Sequence, residues 1–235
     1  MSFATSEAGQ VVARIGQFCL VALLVVGLVA GWVRWVERGT LRQLLPGGRA
    51  FWLGTAIIVP LMLVAYALRG GIGYLNGQFT TEYYAQYPTG AELALSLVYV
   101  AAVAYVLQGF PEELIYRGWL AGVTRHRPRL TLAWTTAAFT VIHLASSGGQ
   151  GNWGDRLVYL VLPLGMGLLA GVLRIITGSM WAAVATHGGM HVVNNLLPPL
   201  ARVEGFDLVG VVLGGVVQAV AAAILWRWHF RKTRP

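Results

Sequence analysis

Glu112 and Glu113 stand side by side in the run Gly109-Phe110-Pro111-Glu112-Glu113-Leu114-Ile115-Tyr116-Arg117-Gly118, a stretch otherwise written for lipid. An ionisable side chain at membrane depth is costly and marks a functional site by default. On a helix Glu113 and Arg117 lie four apart, share one face and can pair, with the carboxylate first as the favoured order requires. Glu112 sits about 100° round the same helix, so one guanidinium does not easily neutralise both carboxylates. One is then structural and the other is free for chemistry. A helix-end salt bridge at the membrane surface is the competing reading.

Other polar groups interrupt apolar stretches further on. His143 closes Phe139-Thr140-Val141-Ile142-His143, and His187 and His191 stand in Thr186-His187-Gly188-Gly189-Met190-His191, followed by Asn194 and Asn195. A single buried histidine is more often a packing residue than a ligand. His126 and His229 sit beside arginines and are assigned no role. A carboxylate with two or three imidazoles supports two chemistries. In one, a glutamate acts as general base on water while histidines polarise it and stabilise an oxyanion. In the other, imidazoles and carboxylate hold a metal such as zinc. Both lead to hydrolysis.

The elements that must position these groups are membrane helices. The 235-residue chain is 57% hydrophobic and 11% charged, with a mean hydropathy of +0.65. A soluble domain carries about 25% charged residues. The expected fold is all-α, one polytopic transmembrane bundle over residues 1–235. About 20 apolar residues span a bilayer, and seven stretches qualify: 11–33, 50–68, 91–110 running on through the glutamates, 130–147, 156–176, 179–197 and 208–228. An eighth follows if residues 70–90, with Tyr74, Tyr83, Tyr84 and Tyr87, add a re-entrant piece. Residues 147–154 read as a flexible loop, Gly167-x-x-x-Gly171 and Gly210-x-x-x-Gly214 as packing contacts, and Cys19 as a small packing residue. The first stretch is expected to be a retained helix and not a signal peptide, because arginines follow it.

The net charge of +8 invites a nucleic-acid partner, but the basic residues gather at the ends of apolar runs, as membrane topology dictates. No nucleic acid is expected. Connections one, three and five and the tail hold Arg34, Arg38, Arg42, Arg49, Arg125, Arg127, Arg129, Arg174, Arg227, Arg231, Lys232 and Arg234. Opposite them stand Arg14, Arg69, Arg156 and Arg202 among Glu82, Glu92, Asp155, Glu204 and Asp207. The positive-inside rule then puts the C-terminus in the cytoplasm of a bacterial or archaeal plasma membrane.

Depth links the polar groups. Glu112, His143 and His187 lie thirteen or fourteen residues from Arg125, Arg129 and Arg174 respectively, about 20 Å at the helical rise and near the bilayer middle. Three helices thus bring their titratable side chains to one level. His187 and His191 share a face one turn apart, and Gly188 and Gly189 let another backbone or a substrate come close.

In this order, Glu112-Glu113-x-x-x-Arg117, Phe139-x-x-x-His143 and Gly178-Ser179-Met180-Trp181 leading to His187 resemble the three motifs of the CPBP family. These are intramembrane proteases related to CAAX prenyl endopeptidases and bacteriocin-processing Abi proteins. The resemblance covers residues 90–200 and implies that Glu112 activates water with His143. It also implies that Glu113 and Arg117 hold the motif helix and that the third motif stabilises the oxyanion. The family's third motif reads His-x-x-x-Asn, and this chain places His191 at the asparagine; the register His191-x-x-x-Asn195 fits one turn later but breaks the spacing from Ser179. The extra imidazole also makes zinc, held by Glu112, His143, His187 and His191, the alternative to a metal-free site.

The expected function is an intramembrane endopeptidase acting near the bilayer midplane, with membrane lipids and a membrane-associated substrate as partners. A lipidated C-terminus, a leader or sorting peptide, or a transmembrane segment would suit. Two rivals come from other classes: a non-catalytic membrane scaffold of the same fold, and a proton- or metal-coupled transporter, which also places Glu and His at the midplane.

Overall fold

The computed structural model describes residues 2–147 and 149–232, without the side chains of residues 2–8 and 232. Gly148 of the expected loop, and Arg234 with the end of the basic tail, lie outside the described residues. Seven helical runs make up the described chain: α1 (Ser2–Trp35), α2 (Ala50–Leu75), α3 (Gly90–Val123), α4 (Pro128–Ile142), α5 (Trp153–Thr177), α6 (Met180–Leu196) and α7 (Leu208–Lys232). The described residues contain no strand, only an isolated bridge from Phe79 to Ala201. The bundle is all-α.

Five runs are long and apolar enough to cross a membrane: Gly9–Trp35, Ala50–Leu75, Gly90–Val123, Trp153–Thr177 and Leu208–Arg231. The other two expected spans are shorter helices, α4 with 15 residues and α6 with 17. At 1.5 Å per residue they reach only about 22–26 Å, less than the hydrocarbon thickness of about 30 Å. These two carry the histidines. Residues 76–89 hold the turn Glu82–Gln86 and no further long helix. Tyr84 there meets the Tyr66 hydroxyl at 2.5 Å, and Tyr87 bonds to the Leu196 carbonyl.

α6 is the inner helix. Met180, Ala182 to Met190 and Val193 are all buried, with α2, α3 and α5 packed round it. α7 closes the gap between α2 and α5, α4 lies on α5, and α1 lies on α3. The main core joins Ile58, Met62, Phe139, Leu169, Leu173 and Met190; a second cluster joins Val29, Val33, Leu114, Met180 and Val184. Helices without a water-driven force between them associate through close packing of small residues. A Cβ on Gly189 would meet Ile58 Cγ2 at 2.6 Å, and one on Gly109 would meet Gly188 N at 3.2 Å. The space beside Gly188 and Gly189 is therefore filled by neighbouring helices. The closest approach is between Gly165 of α5 and Gly215 of α7, where a Cβ would collide with the opposing backbone carbonyl.

The sharp join between α5 and α6 is written in Gly178 and Ser179. Gly178 ends α5 in the left-handed region at φ 69°, which glycine adopts without strain. The Ser179 hydroxyl caps α6 by accepting from Trp181 N at 3.2 Å, and it donates toward the carbonyls of Pro46 and Gly47 at 2.6 and 3.0 Å. Cys19 is exposed on α1 and not a packing residue; α1 touches the bundle along one side only and leaves that position facing outward. Two arginines of the sparsely basic side are neutralised, Arg69 by Asp207 at 3.0 Å and Arg202 by Glu82 at 2.7 Å.

Gly215→Leu is expected to lower stability by about 1–3 kcal/mol or more, as overpacking does. Gly27→Ala, whose Cβ would enter open space, is expected to leave the melting temperature in detergent unchanged or slightly raised. Equal melting of the two variants would contradict the α5–α7 contact.

Candidate functional site

α3 is not a uniform α-helix. Residues Ala102–Gly109 and Leu114–Leu120 are π-helical, flanking the α-helical turn Phe110–Glu113. π turns inside α-helices gather at functional sites. Here they bracket the two glutamates. Glu113 is 1% exposed and points inward, whereas Glu112 is half-buried.

Glu113 Oε1 accepts two charge-assisted bonds, from Arg117 Nη1 at 3.1 Å and from His187 Nδ1 at 2.9 Å. The expected Glu113–Arg117 pair is present. Its third member, His187, comes from 74 positions further along the chain and could not be read from helical spacing. Arg117, fully buried, also donates from Nη2 to the Gly167 carbonyl at 2.9 Å, and its guanidinium lies 4.6 Å from the Phe139 ring centre. Gly167 is bare because of this, since a Cβ there would sit 3.2 Å from Arg117 Nη2. Arg174, expected only as a basic flank, donates from Nε to the Arg117 carbonyl at 2.8 Å. Glu113 Oε2, Arg117 Nε and Thr136 Oγ1 are buried without a partner among the described residues.

Phe139 is the hub of the aromatic contacts. Its ring meets Tyr116, His143 and His187 at centroid distances of 5.2, 4.5 and 5.7 Å. His143 is the residue at which α4 ends, half-buried, with the chain turning into the loop after Ala145. The expected span 130–147 is therefore cut short at the histidine. His143 Nδ1 lies 2.7 Å from the Phe139 carbonyl. A carbonyl only accepts, so Nδ1 carries the proton and the neutral ring keeps its lone pair on Nε2. His187 has the same tautomer, because a carboxylate also only accepts. It donates from Nε2 only as an imidazolium.

His191 follows one turn later, its ring 5.2 Å from that of His187, and is close enough for its charge to interact with those of His187 and His143. Its side chain makes no hydrogen bond among the described residues. Asn195, the other candidate for the asparagine role, donates from Nδ2 to the His191 carbonyl at 2.8 Å on its own helix and is exposed. Glu112 makes no hydrogen bond or ion pair among the described residues; its charge faces Tyr116 and Tyr159. Glu113, Arg117, Phe139, His143, His187 and His191 thus come together from α3, α4 and α6. The carboxylate–imidazole bond present is Glu113–His187, and no hydrogen bond joins Glu112 to His143. Tyr159 and Arg174 were not singled out from the sequence, and only distant contacts mark them. Among the described residues no three His, Cys, Asp or Glu side chains are grouped to hold a metal ion.

Comparison with known protein families matches residues 94–197 to the Rce1-like family, described as type II CAAX prenyl endopeptidase Rce1-like. The matched stretch contains all three motifs. No curated protein and no solved structure matches the chain. The family is one of CAAX-type endopeptidases, which supports a membrane protease activity at the family level.

Removing Arg117 leaves a buried carboxylate facing only an imidazole. Arg117→Met is expected to cost about 3–5 kcal/mol, and Glu113→Gln added to it is expected to restore part of that loss. Thermal unfolding of the two variants in one detergent checks this. A double variant that melts below the single one would contradict it.

Proposed function

We propose that this chain, whose residues 94–197 belong to the Rce1-like CPBP family of CAAX-type endopeptidases, hydrolyses a peptide bond inside the membrane with water activated by Glu112 and His143. The observation that carries the reading is the contrast between the two glutamates. Glu113 is consumed by Arg117 and His187, while its neighbour Glu112 is half-buried and unpaired among the described residues, one helical position away.

Each group has a role that its surroundings allow. Glu112 takes the proton from a water held between it and His143 Nε2, whose lone pair is left free by the Phe139 carbonyl bond. The hydroxide adds to the scissile carbonyl. His187, as an imidazolium backed by Glu113, and His191 donate to the developing oxyanion. The proton on Glu112 then passes to the leaving amine, which breaks the C–N bond and regenerates the carboxylate. Arg117 holds Glu113 and touches no reacting atom; it is a positioning residue. The substrate presents an extended segment at the membrane, and an S-prenylated peptide ending in cysteine, two aliphatic residues and methionine is the first to assay. In this reading the C-terminus is cytoplasmic, and the protein works without a resident metal.

Glu112→Gln keeps shape and removes the base. Cleavage of the prenylated peptide is expected to fall by about 10²–10⁴-fold with the melting temperature unchanged, and an unchanged rate would remove Glu112 from the mechanism. His191→Asn, which writes the family's own residue at that position, is expected to stay active, while His191→Ala loses about 10²–10³-fold. Inactivation by a chelator with recovery on adding zinc would move the mechanism to a metal-bound water. A scaffold would keep its biological effect in the Glu112→Gln form, and a transporter would show flux in liposomes.

A further inference from the structure

A cavity of about 350 Å³ lies between α2, α5, α6 and α7, just beyond the catalytic histidines. Its walls are largely aliphatic, and four polar side chains line it: Tyr66, Arg69, Asn194 and Asp207. Tyr66 and one oxygen of Asp207 are engaged, while Asp207 Oδ2 makes no hydrogen bond among the described residues. The Tyr66 hydroxyl donates to the Pro198 carbonyl at 2.6 Å, and Asp207 Oδ1 accepts from Arg69 Nε and Gly210 N, both at 3.0 Å. The other two keep donors in hand. The Arg69 side chain is 12% exposed, and its Nη1 is buried without a partner. Neither terminal nitrogen makes a hydrogen bond among the described residues. Asn194 is exposed to the cavity, and its amide is likewise unbonded among the described residues. Asp207 orients the guanidinium through Nε and leaves the terminal fork open.

Unpaired donors on a mostly buried guanidinium are expensive. The partner that satisfies them and an amide together is an acceptor-only group, and a carboxylate fits the fork of an arginine. The position of the cavity says where that carboxylate comes from. Asn194 continues the His187–His191 line of α6, about 4.5 Å beyond His191. On the opposite wall Leu162 of the cavity is one turn from Tyr159, which faces Glu112. The Tyr66–Pro198 bond and the contact of Gly70 with Leu200 put the Arg69 end beside residues 198–200, past the end of α6 at Leu196, which itself lies about 7.5 Å beyond His191. An extended peptide covers that in about three residues at 3.3–3.6 Å each.

We infer that this cavity is the subsite for the end of the substrate: Asn194 binds the backbone just past the scissile bond, and Arg69 binds a free C-terminal carboxylate about three residues beyond it. Arg69 and Asp207 lie outside residues 94–197, so the family match does not reach them. The inference rests on the endopeptidase reading for the identity of its ligand, and its test does not need turnover.

The experiment uses the full-length Glu112→Gln protein in phosphatidylcholine nanodiscs. Binding of a fluorescein-labelled S-prenylated peptide with a free C-terminal carboxylate is compared with that of its C-terminal amide. The acid is expected to bind at least about tenfold more tightly, the scale of a charge-assisted pair. In Arg69→Gln the ratio falls to within about twofold. Asn194→Ala, an exposed position that folding does not depend on, weakens both peptides and keeps the ratio. With the active protein, amidation raises KM and leaves kcat little changed. Equal binding of acid and amide by the parent protein overturns the subsite even if cleavage proceeds. Acid preference without cleavage in the active protein upholds the subsite and sinks the protease. Arg69-dependent retention of phosphatidylglycerol, with acid and amide bound equally, would assign the fork to a lipid phosphate and overturn the substrate assignment.

Discussion

One carboxylate oxygen, Glu113 Oε1, accepts from both Arg117 and His187 in a place closed to water. Burying three such groups separately would cost several kcal/mol each. Together they are close to a neutral pair with an imidazole attached, and the guanidinium is further covered by the Gly167 carbonyl and the face of Phe139. This one junction ties α3 to α5 and α6, and Phe139 adds α4. The bundle therefore has little freedom to rotate any of the four without uncovering a charge. It also leaves Glu112, one residue earlier, without a cation to pair with among the described residues.

Why the neighbouring glutamates meet such different surroundings follows from the backbone. Successive residues of an α-helix are separated by about 100°, and both glutamates lie in the α-helical turn Phe110–Glu113, so that turning Glu113 inward leaves Glu112 toward the edge. The π turns before and after Phe110–Glu113 flank that turn. The Arg174 bond to the Arg117 carbonyl ties the second π stretch to α5. Gly109 and Gly188, facing each other without side chains, let the bulged helix approach α6 closely enough for Glu113 to reach His187. The irregularity of α3 and the glycines of α6 are two halves of one arrangement.

Much of this was legible from residue types alone. The all-α membrane class followed from composition. The Glu113–Arg117 pair followed from spacing, and the candidates from α3, α4 and α6 followed from their common distance to the basic flanks. Other features depend on which helix neighbours which, and local spacing carries no such information. His187 meets Glu113 across 74 positions, Arg174 turns inward from what reads as a topological flank, and the Gly165–Gly215 contact lies outside both glycine motifs singled out from the sequence. The end of α4 at His143 was missed for a different reason. Leu144 and Ala145 continue the apolar pattern, so hydropathy runs on past the point where the helix stops.

The two helices that bear the histidines are the two that fall short of the length a membrane span asks for, and the shortfall has a physical use. A helix in contact with lipid must be apolar on its outer face and long enough to satisfy its backbone across the hydrocarbon. α6 meets almost no lipid, because α2, α3 and α5 surround it, and so it can carry Thr186, His187 and His191 where an outer helix could not. α4 ends at His143 and passes into a loop after Ala145, so the imidazole is half-buried at a helix end and not sealed within a span. The hydrolysis proposed above asks for two conditions at one place, an apolar surround for Glu112 and access for water and a peptide. In that reading five long apolar helices supply the first, and the early end of α4 supplies the second.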